Sequence, residues 1–259
     1  MPAVESPSDA PDDHFLSYEP YYPDVVAAGS VLAALQAEAD RAGYGFTAKP
    51  VNAPGVRRVA AEVTDGFRLT RVLMGEDHPG RYLGPGDRRS FAVECWAGRV
   101  WAAGGRTPEL PEAAGVAHSW LQAPRIRGLV ARWPFLGTCE LAEAHERGEA
   151  IPVLWRRLRA RAAGDPRLRD LVEAAHEQPR LRALWPGTSM WRLTFSRQAA
   201  PGTSADLPRV MQLEDGRYQV RFDGGRLEEA DTVAQAIALV AGALPDDAVP
   251  DPAGLRPWA

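Results

Sequence analysis

Residues 91–121, FAVECWAGRVWAAGGRTPELPEAAGVAHSWL, set out a strand, a turn at Gly98-Arg99, a second strand and a capped helix. Residues 218–244, YQVRFDGGRLEEADTVAQAIALVAGAL, run through the same order around Gly225-Arg226. Two accounts of the echo stand side by side. Strand-strand-helix units are common and can recur by chance, or one small module has been duplicated; residue identity between the two stretches is low.

The chain upstream of the first copy reads the same way. Ser30 offers an N-cap oxygen to a helix that runs to about Arg41, with Val31, Leu32, Leu35 and Ala39 on one face and Gly43 as the stop. Residues 56–63 and 67–74 alternate apolar and polar around Thr64-Asp65-Gly66, and Asp-Gly is strong hairpin chemistry because glycine accepts positive φ. Phe91–Trp96 and Arg99–Ala103 form the next hairpin, and Thr107-Pro108 then predicts a helix start with a cap and a proline at its first position. Gly104-Gly105 and Gly84-Pro85-Gly86 read as loop glycines.

A helical stretch follows. Thr138 is placed to cap a short helix over 139–147 that Gly148 ends. Pro152 opens another helix, and Asp165-Pro166 caps a third with Leu168, Leu171, Val172 and Ala175 at helical spacing. Pro179 begins a last turn through Trp185. Alternation then returns: Trp191, Leu193 and Phe195 fall on one face of a strand, and Arg192, Thr194 and Ser196 on the other. Residues 208–213 and 218–222 pair through Glu214-Asp215-Gly216.

These readings predict an α+β fold of two antiparallel-sheet-plus-helix modules joined by a helical section. The expected boundaries are a disordered acidic, proline-rich N-terminus at 1–24, a first module at 25–137, helices at 138–186, a second module at 187–245 and a flexible tail at 246–259. Within the N-terminus, Phe15, Tyr18, Tyr21 and Tyr22 are the exception and could dock on a domain surface.

Composition narrows the function classes. At 259 residues the chain can bury roughly three quarters of its unfolded surface without staples. Cys95 and Cys139 form no CxxC pair, which argues against zinc or a disulfide framework and for reduced thiols in a cytoplasmic protein. No signal-like leader and no long apolar run is read, so no membrane association is expected. The net charge of −4 gives no reason to expect nucleic acid as a partner. The exception is local: arginines 156, 157, 159, 161, 167, 169, 180 and 182 crowd one window, where a solvated helix face is the ordinary explanation and an acidic peptide partner the functional one.

The stretch Gln178-Pro179-Arg180-Leu181-Arg182-Ala183-Leu184-Trp185-Pro186-Gly187-Thr188-Ser189-Met190-Trp191-Arg192-Leu193-Thr194-Phe195-Ser196-Arg197 carries a family resemblance. With residues 140–148, ELAEAHERG, and the closing GRYQV and EADTVAQAIALVAGALP, it resembles the actinobacterial family called domain of unknown function 6193. Members are labelled natural product biosynthesis proteins. The resemblance spans most of residues 30–245 and implies membership of such a pathway, with no reaction attached. Gln178 and Met190 stand where the family pattern has histidine.

No phosphate loop, GxGxxG junction, HExxH or GxSxG is present, so no cofactor and no metal is expected. The best polar cluster is Glu140, Glu143, His145 and Glu146. On a helix His145 follows Leu141 by one turn and points to the apolar side, where it could serve as a general base with Glu143, or be a buried structural histidine. Glu140 and Glu146 are candidate ligand contacts beside it. Ser189, Arg192, Ser196 and Arg197 lie on or next to the Trp191 strand and could bind an anionic group or a peptide backbone if that face is uncovered. His118 and His176 sit at helix ends, where the macrodipole favours cations. Trp155, Trp185 and Trp191 are expected in the core, with Trp133 and Trp258 as candidate surface anchors.

The leading expectation is therefore an accessory or binding protein of a natural-product pathway that recognises a peptide or protein partner through a sheet face or edge. The alternative is a cofactor-independent enzyme acting on a small natural-product intermediate with His145 and Glu143.

Overall fold

Two Asp-Gly turns shape the two sheets of this protein. Gly66 at φ 102° and Gly216 at φ 88° occupy a backbone region that side chains with a Cβ disfavour. At the first turn the Asp65 carboxylate accepts from the amides of Phe67 and Arg68. At the second, Asp215 accepts from the amide of Arg217. The computed structural model describes residues 13–52, 58–75, 89–122, 125–199, 204 and 206–251. Its chain divides into two units, Met1–Thr138 and Cys139–Ala259. The loop glycines expected at 84–86, Trp258, and the first twelve and last eight residues lie outside the described residues.

In the first unit, helices α1 (Asp13–Leu16), α2 (Pro23–Ala28) and α3 (Val31–Ala42) precede strands β1 (Lys49–Pro50), β2 (Ala60–Thr64), β3 (Arg68–Met74), β4 (Phe91–Ala97) and β5 (Val100–Thr107). Helices α4 (Leu110–Leu121) and α5 (Ile126–Arg132) and strand β6 (Leu136–Gly137) complete it. The strands run antiparallel in their sequence order, β1 to β6, so each hairpin adds its next neighbour. Strand β4 alternates strictly between buried and half-buried residues, as a strand with helices on one face should. The Ser30 hydroxyl caps α3 by accepting from the Ala33 amide, and Gly43 at φ 70° ends it.

Three expectations for this unit change. Residues 13–24 are ordered as α1, a run of turns and the start of α2 rather than disordered, because Phe15, Tyr18, Tyr22 and Val25 bury their side chains and offset the entropy of ordering. Gly104 and Gly105 belong to β5, not to a loop. A Cβ on Gly105 would sit 2.0 Å from the Phe135 carbonyl oxygen, so only glycine lets β6 approach this closely. Thr107 ends the longer strand, and α4 begins at Leu110 instead. The Thr107 hydroxyl accepts from the Glu109 amide and bonds Glu112.

A buried arginine is the least foreseeable feature of this unit. Arg68 donates to the Trp120 carbonyl at 3.3 Å and places its guanidinium 4.4 Å from the Trp120 ring centroid, a contact worth on the order of 1–2 kcal/mol when desolvated.

The second unit comprises α6 (Glu140–Arg147), α7 (Ala150–Ala162), α8 (Pro166–Glu177), α9 (Pro179–Arg182), β7 (Trp185–Ser189), β8 (Arg192–Ser196), β9 (Arg209–Gln212), β10 (Tyr218–Arg221), β11 (Leu227–Ala230) and α10 (Val233–Gly242). Its five strands are antiparallel in the order β11-β10-β9-β8-β7. Both doubled stretches show the expected strand-strand-helix order, with four-residue strands in the second and strands of seven and eight residues in the first. The helical section, expected as a joint, shares one core with this sheet: Trp155, Leu171, Phe195, Val220 and Ile237 pack together. The Asp165 carboxylate caps α8 by accepting from the Arg167 amide. Thr138 does not cap α6; its hydroxyl donates to the Ala102 carbonyl, and Cys139 takes the cap position.

Residues 185–189, expected as the end of a helix and a connector, form strand β7, paired with β8 from Trp185↔Ser196 to Ser189↔Arg192. Only Met190 and Trp191 remain for the turn, at φ 46° and 63°. Left-handed backbone costs a residue with a Cβ about 1–2 kcal/mol. Trp191, expected in the core, therefore stands at the tip of a hairpin and is 52% exposed. The last described residues are tied down as well: Asp251 donates its amide to the Arg197 carbonyl, and Ala248 is buried.

Candidate functional site

The side of the second sheet away from the core is built by the register of β8, β9 and β10. Leu193, Val210 and Val220 are buried, so their neighbours Arg192, Arg209, Met211, Gln219 and Arg221 project from the opposite face. Arg192 pairs with Met211, Met211 with Gln219, Arg209 with Arg221, and Arg221 with Leu227. The result is a concavity of about 220 Å³ with three guanidinium groups and an apolar wall of Met211 and Leu227.

These three arginines differ from those around them. Arg217 pairs with Asp215 and Glu229, Arg226 with Glu228, and Arg197 with Asp206 and Asp247. Arg192, Arg209 and Arg221 have no carboxylate partner among the described residues; Arg192 reaches only the Met211 sulfur, at 3.5 Å. Glu229 shares the face as the neighbour of Gln219, but its carboxylate is held by Arg217. Three fixed cations in one depression repel one another, and an anion placed between them removes that repulsion while accepting charge-assisted hydrogen bonds.

The other expected contacts are not drawn into this place. Ser189 lies at the end of β7 opposite Arg192 and is exposed. Ser196 is buried, accepts from the Gln198 amide at 3.0 Å and faces the Ser204 hydroxyl. The Arg197 guanidinium donates to Asp206 and to the Asp247 carbonyl, so its work is to fasten the C-terminal segment. Of that group, Arg192 alone opens onto the concavity.

The α6 cluster also separates. Glu140 pairs with Arg156 and Arg157, and Glu143 lies 3.9 Å from Arg147 one turn on. His145 is 2% exposed and stacks on Trp185, and burial pushes its imidazole down to about 4. Two positions apart on a helix, Glu143 and His145 point to different sides, so they do not converge on a common substrate atom. Glu146 is half-buried on the same helix. His118 stacks on Tyr44 at 4.4 Å, and His176 meets Trp155 edge-on at 5.4 Å, where burial lowers its pKa; both serve packing. Trp133 is half-buried and donates to the Ser119 hydroxyl. Arg159 pairs with Glu173 across α7 and α8, which makes that part of the arginine window a solvated ion-pair surface. Among the described residues no group of three or more His, Cys, Asp or Glu could hold a metal ion.

The facing of Arg209 and Arg221 has a local sequence signal. The hairpin centres on Asp215, and each arginine stands six residues from it, so counting outward from the turn places them opposite each other. Arg192 joins them only through the β8–β9 pairing, which no local signal announces.

The unit that holds the concavity is thus a two-layer α+β structure with helices against one face of an antiparallel sheet. Residues 149–254 of the chain match the model described as Family of unknown function (DUF6193). The match covers the sheet and the helices from α7 onward; residues 140–148 and the first unit, included in the resemblance read from the sequence, lie outside it. No curated protein and no solved structure matches the chain.

Proposed function

We propose that this protein is a non-catalytic accessory or binding protein of a natural-product biosynthetic pathway, acting in the cytoplasm, and that it recognises an acidic segment of a peptide or protein partner on the outer face of β8–β10. The observation that carries this reading is the set Arg192, Arg209 and Arg221, three guanidinium groups in one concavity without a carboxylate among the described residues. Arginine forks fit carboxylates in two-point contacts, and a hydrogen bond to a charged group contributes about 1.5–3 kcal/mol. Met211 and Leu227 supply an apolar wall for the stems of the partner's side chains. The pathway, the actinobacterial setting and the location in the cell are carried by the family resemblance and by the two free cysteines alone.

The enzyme alternative has less support. A general base must reach the proton it removes, and His145 is enclosed beside Trp185 while Glu143 lies toward Arg147.

Fluorescence anisotropy of labelled hexaglutamate, with hexaglutamine as the neutral control, tests the binding reading. Hexaglutamate should bind the full chain at low ionic strength, weaken with added salt and lose its affinity in Arg209→Glu/Arg221→Glu. Equal binding by that double variant would overturn the assignment of the face.

A further inference from the structure

The β7–β8 hairpin ends in a turn whose residues are the wrong ones for its backbone. Ser189↔Arg192 is the last register pair, so Met190 and Trp191 form a two-residue loop with both φ values positive. That geometry suits Asn-Gly, because a Cβ in the left-handed region crowds the following carbonyl. Here both positions carry large apolar side chains. Met190 is 71% exposed, more than any other large apolar residue among those described, and Trp191 follows it. The hairpin thus holds two unfavourable backbone conformations at its tip and leaves both large apolar side chains exposed there.

The tip also wears a cationic collar. The Arg167 guanidinium lies 5.7 Å from the Trp191 ring centroid, Arg161 donates to the Thr188 hydroxyl, and Arg192 follows Trp191 directly. None of the three has a carboxylate partner among the described residues. Methionine, tryptophan and arginine are among the side chains enriched where proteins bind one another, and a paired hairpin presents them without the entropy cost of ordering a loop.

We propose that Met190 and Trp191 are a docking anchor that enters an apolar socket with an acidic rim on a partner protein. The socket takes the two side chains, and its carboxylates meet Arg161, Arg167 and Arg192. This inference rests on reading the unit as a binding module and adds a second contact to it, joined to the concavity through Arg192.

Panning a phage-displayed random peptide library on the full chain tests it, with Met190→Asn/Trp191→Gly as the counter-target. The variant should melt several degrees higher, since the turn then has the residues its backbone favours. Clones kept by the wild type and lost by the variant should carry Asp or Glu beside Leu, Phe or Trp. A synthetic peptide of that consensus should bind the wild type about ten-fold more tightly. The proposal is overturned if the variant melts lower, if no clone distinguishes the two proteins, or if the distinguishing clones lack acidic residues. Arg209→Glu/Arg221→Glu separates the two readings. Peptides lost by it and kept by the tip variant overturn the anchor and leave the sheet face standing, whereas peptides lost by the tip variant alone uphold the anchor and count against the face.

Discussion

The imidazole of His145 lies nearly parallel to the indole of Trp185, with ring centroids 5.1 Å apart and planes inclined by 10°. The stack ties the last turn of α6 to the first residue of β7, and it fixes the proton inventory of this unit. A charged imidazole is costly in such a place, so the folded protein keeps His145 neutral.

Stability should therefore depend on pH through this residue. The unfolded chain takes up the proton near the ordinary value of 6.5 and the folded chain only near about 4, so the unfolded state binds more protons between them. Stability is unaffected by this residue above the upper value and falls as pH drops below it, and the loss reaches about 3 kcal/mol once the lower value is passed. His176, lowered in the same direction by burial, adds to the trend, so the diagnostic is the difference from His145→Phe. Urea denaturation at about pH 7.5 and about pH 5 should show a smaller loss in that variant than in the wild type. Parallel losses would remove His145 from the account.

The two cysteines should behave as different reagents. Cys95 lies fully buried on β4, and burial pushes its thiol up to about 12. Cys139 is half-buried at the start of α6. Titration of the native protein with a chromogenic disulfide should release one equivalent quickly, and denaturant should reveal the second. Cys139→Ser should abolish the rapid phase; a fast phase that survives it would show that β4 opens readily.

Tyr22 tests the docking of the N-terminal helices. Its hydroxyl donates to the Ser90 carbonyl at 2.9 Å and lies 3.0 Å from the Ser90 amide, which donates to it, while its ring meets Phe91 edge-on at 5.5 Å. Tyr22→Phe takes the acceptor from the Ser90 amide, while the Ser90 carbonyl keeps the Gly75 amide, at a cost of about 1–3 kcal/mol in a denaturation curve. Deleting residues 1–22 should cost more, because it also uncovers Phe91. A truncated chain as stable as the full one would mean that α1 and the turn segment through Tyr22 add nothing.

Gly105→Ala should be severe where Gly137→Ala is mild. The first Cβ would meet the Phe135 carbonyl at 2.0 Å, and backbone cannot step aside as a flexible side chain can; the second has nothing nearer than 3.8 Å. Overpacking of this kind costs about 1–3 kcal/mol or more. Melting temperatures of the two variants compare them directly, and equal melting points would place β6 elsewhere.

What could be read from the sequence followed the strength of local signals. Asp65-Gly66, Asp215-Gly216, the Ser30 cap and the Asp165-Pro166 cap each act over a few residues, and their elements formed where those residues predicted. The β7–β8 hairpin has no local signal because Met190 and Trp191 carry no turn chemistry; the pairing of five residues on each side overrides their preference. Gly104-Gly105 resembled a loop because the close approach of Phe135 is made by residues thirty positions away. The candidate site followed the same division. Alternation put Arg192 on an outer face, but its companions Arg209 and Arg221 arrive from other strands, and a strand order is not written in any one segment. Arg197 binds Asp206, Asp247 and the Asp251 amide, and the Ser196 hydroxyl is taken by the Gln198 amide, contacts made by residues that adjacent sequence does not announce.

The strands at the margins of the sheets have one more implication. β1 and β6 are two residues long, β1 contains Pro50, and β7 contains Pro186, which has no amide hydrogen to offer. At the far side of the second sheet, β11 carries Glu228 and Glu229. Short stubs, prolines and charges are poor templates for another backbone. A newly made or partly unfolded copy would find little to extend, so growth into fibrils is discouraged at the points where antiparallel sheets are most exposed to it.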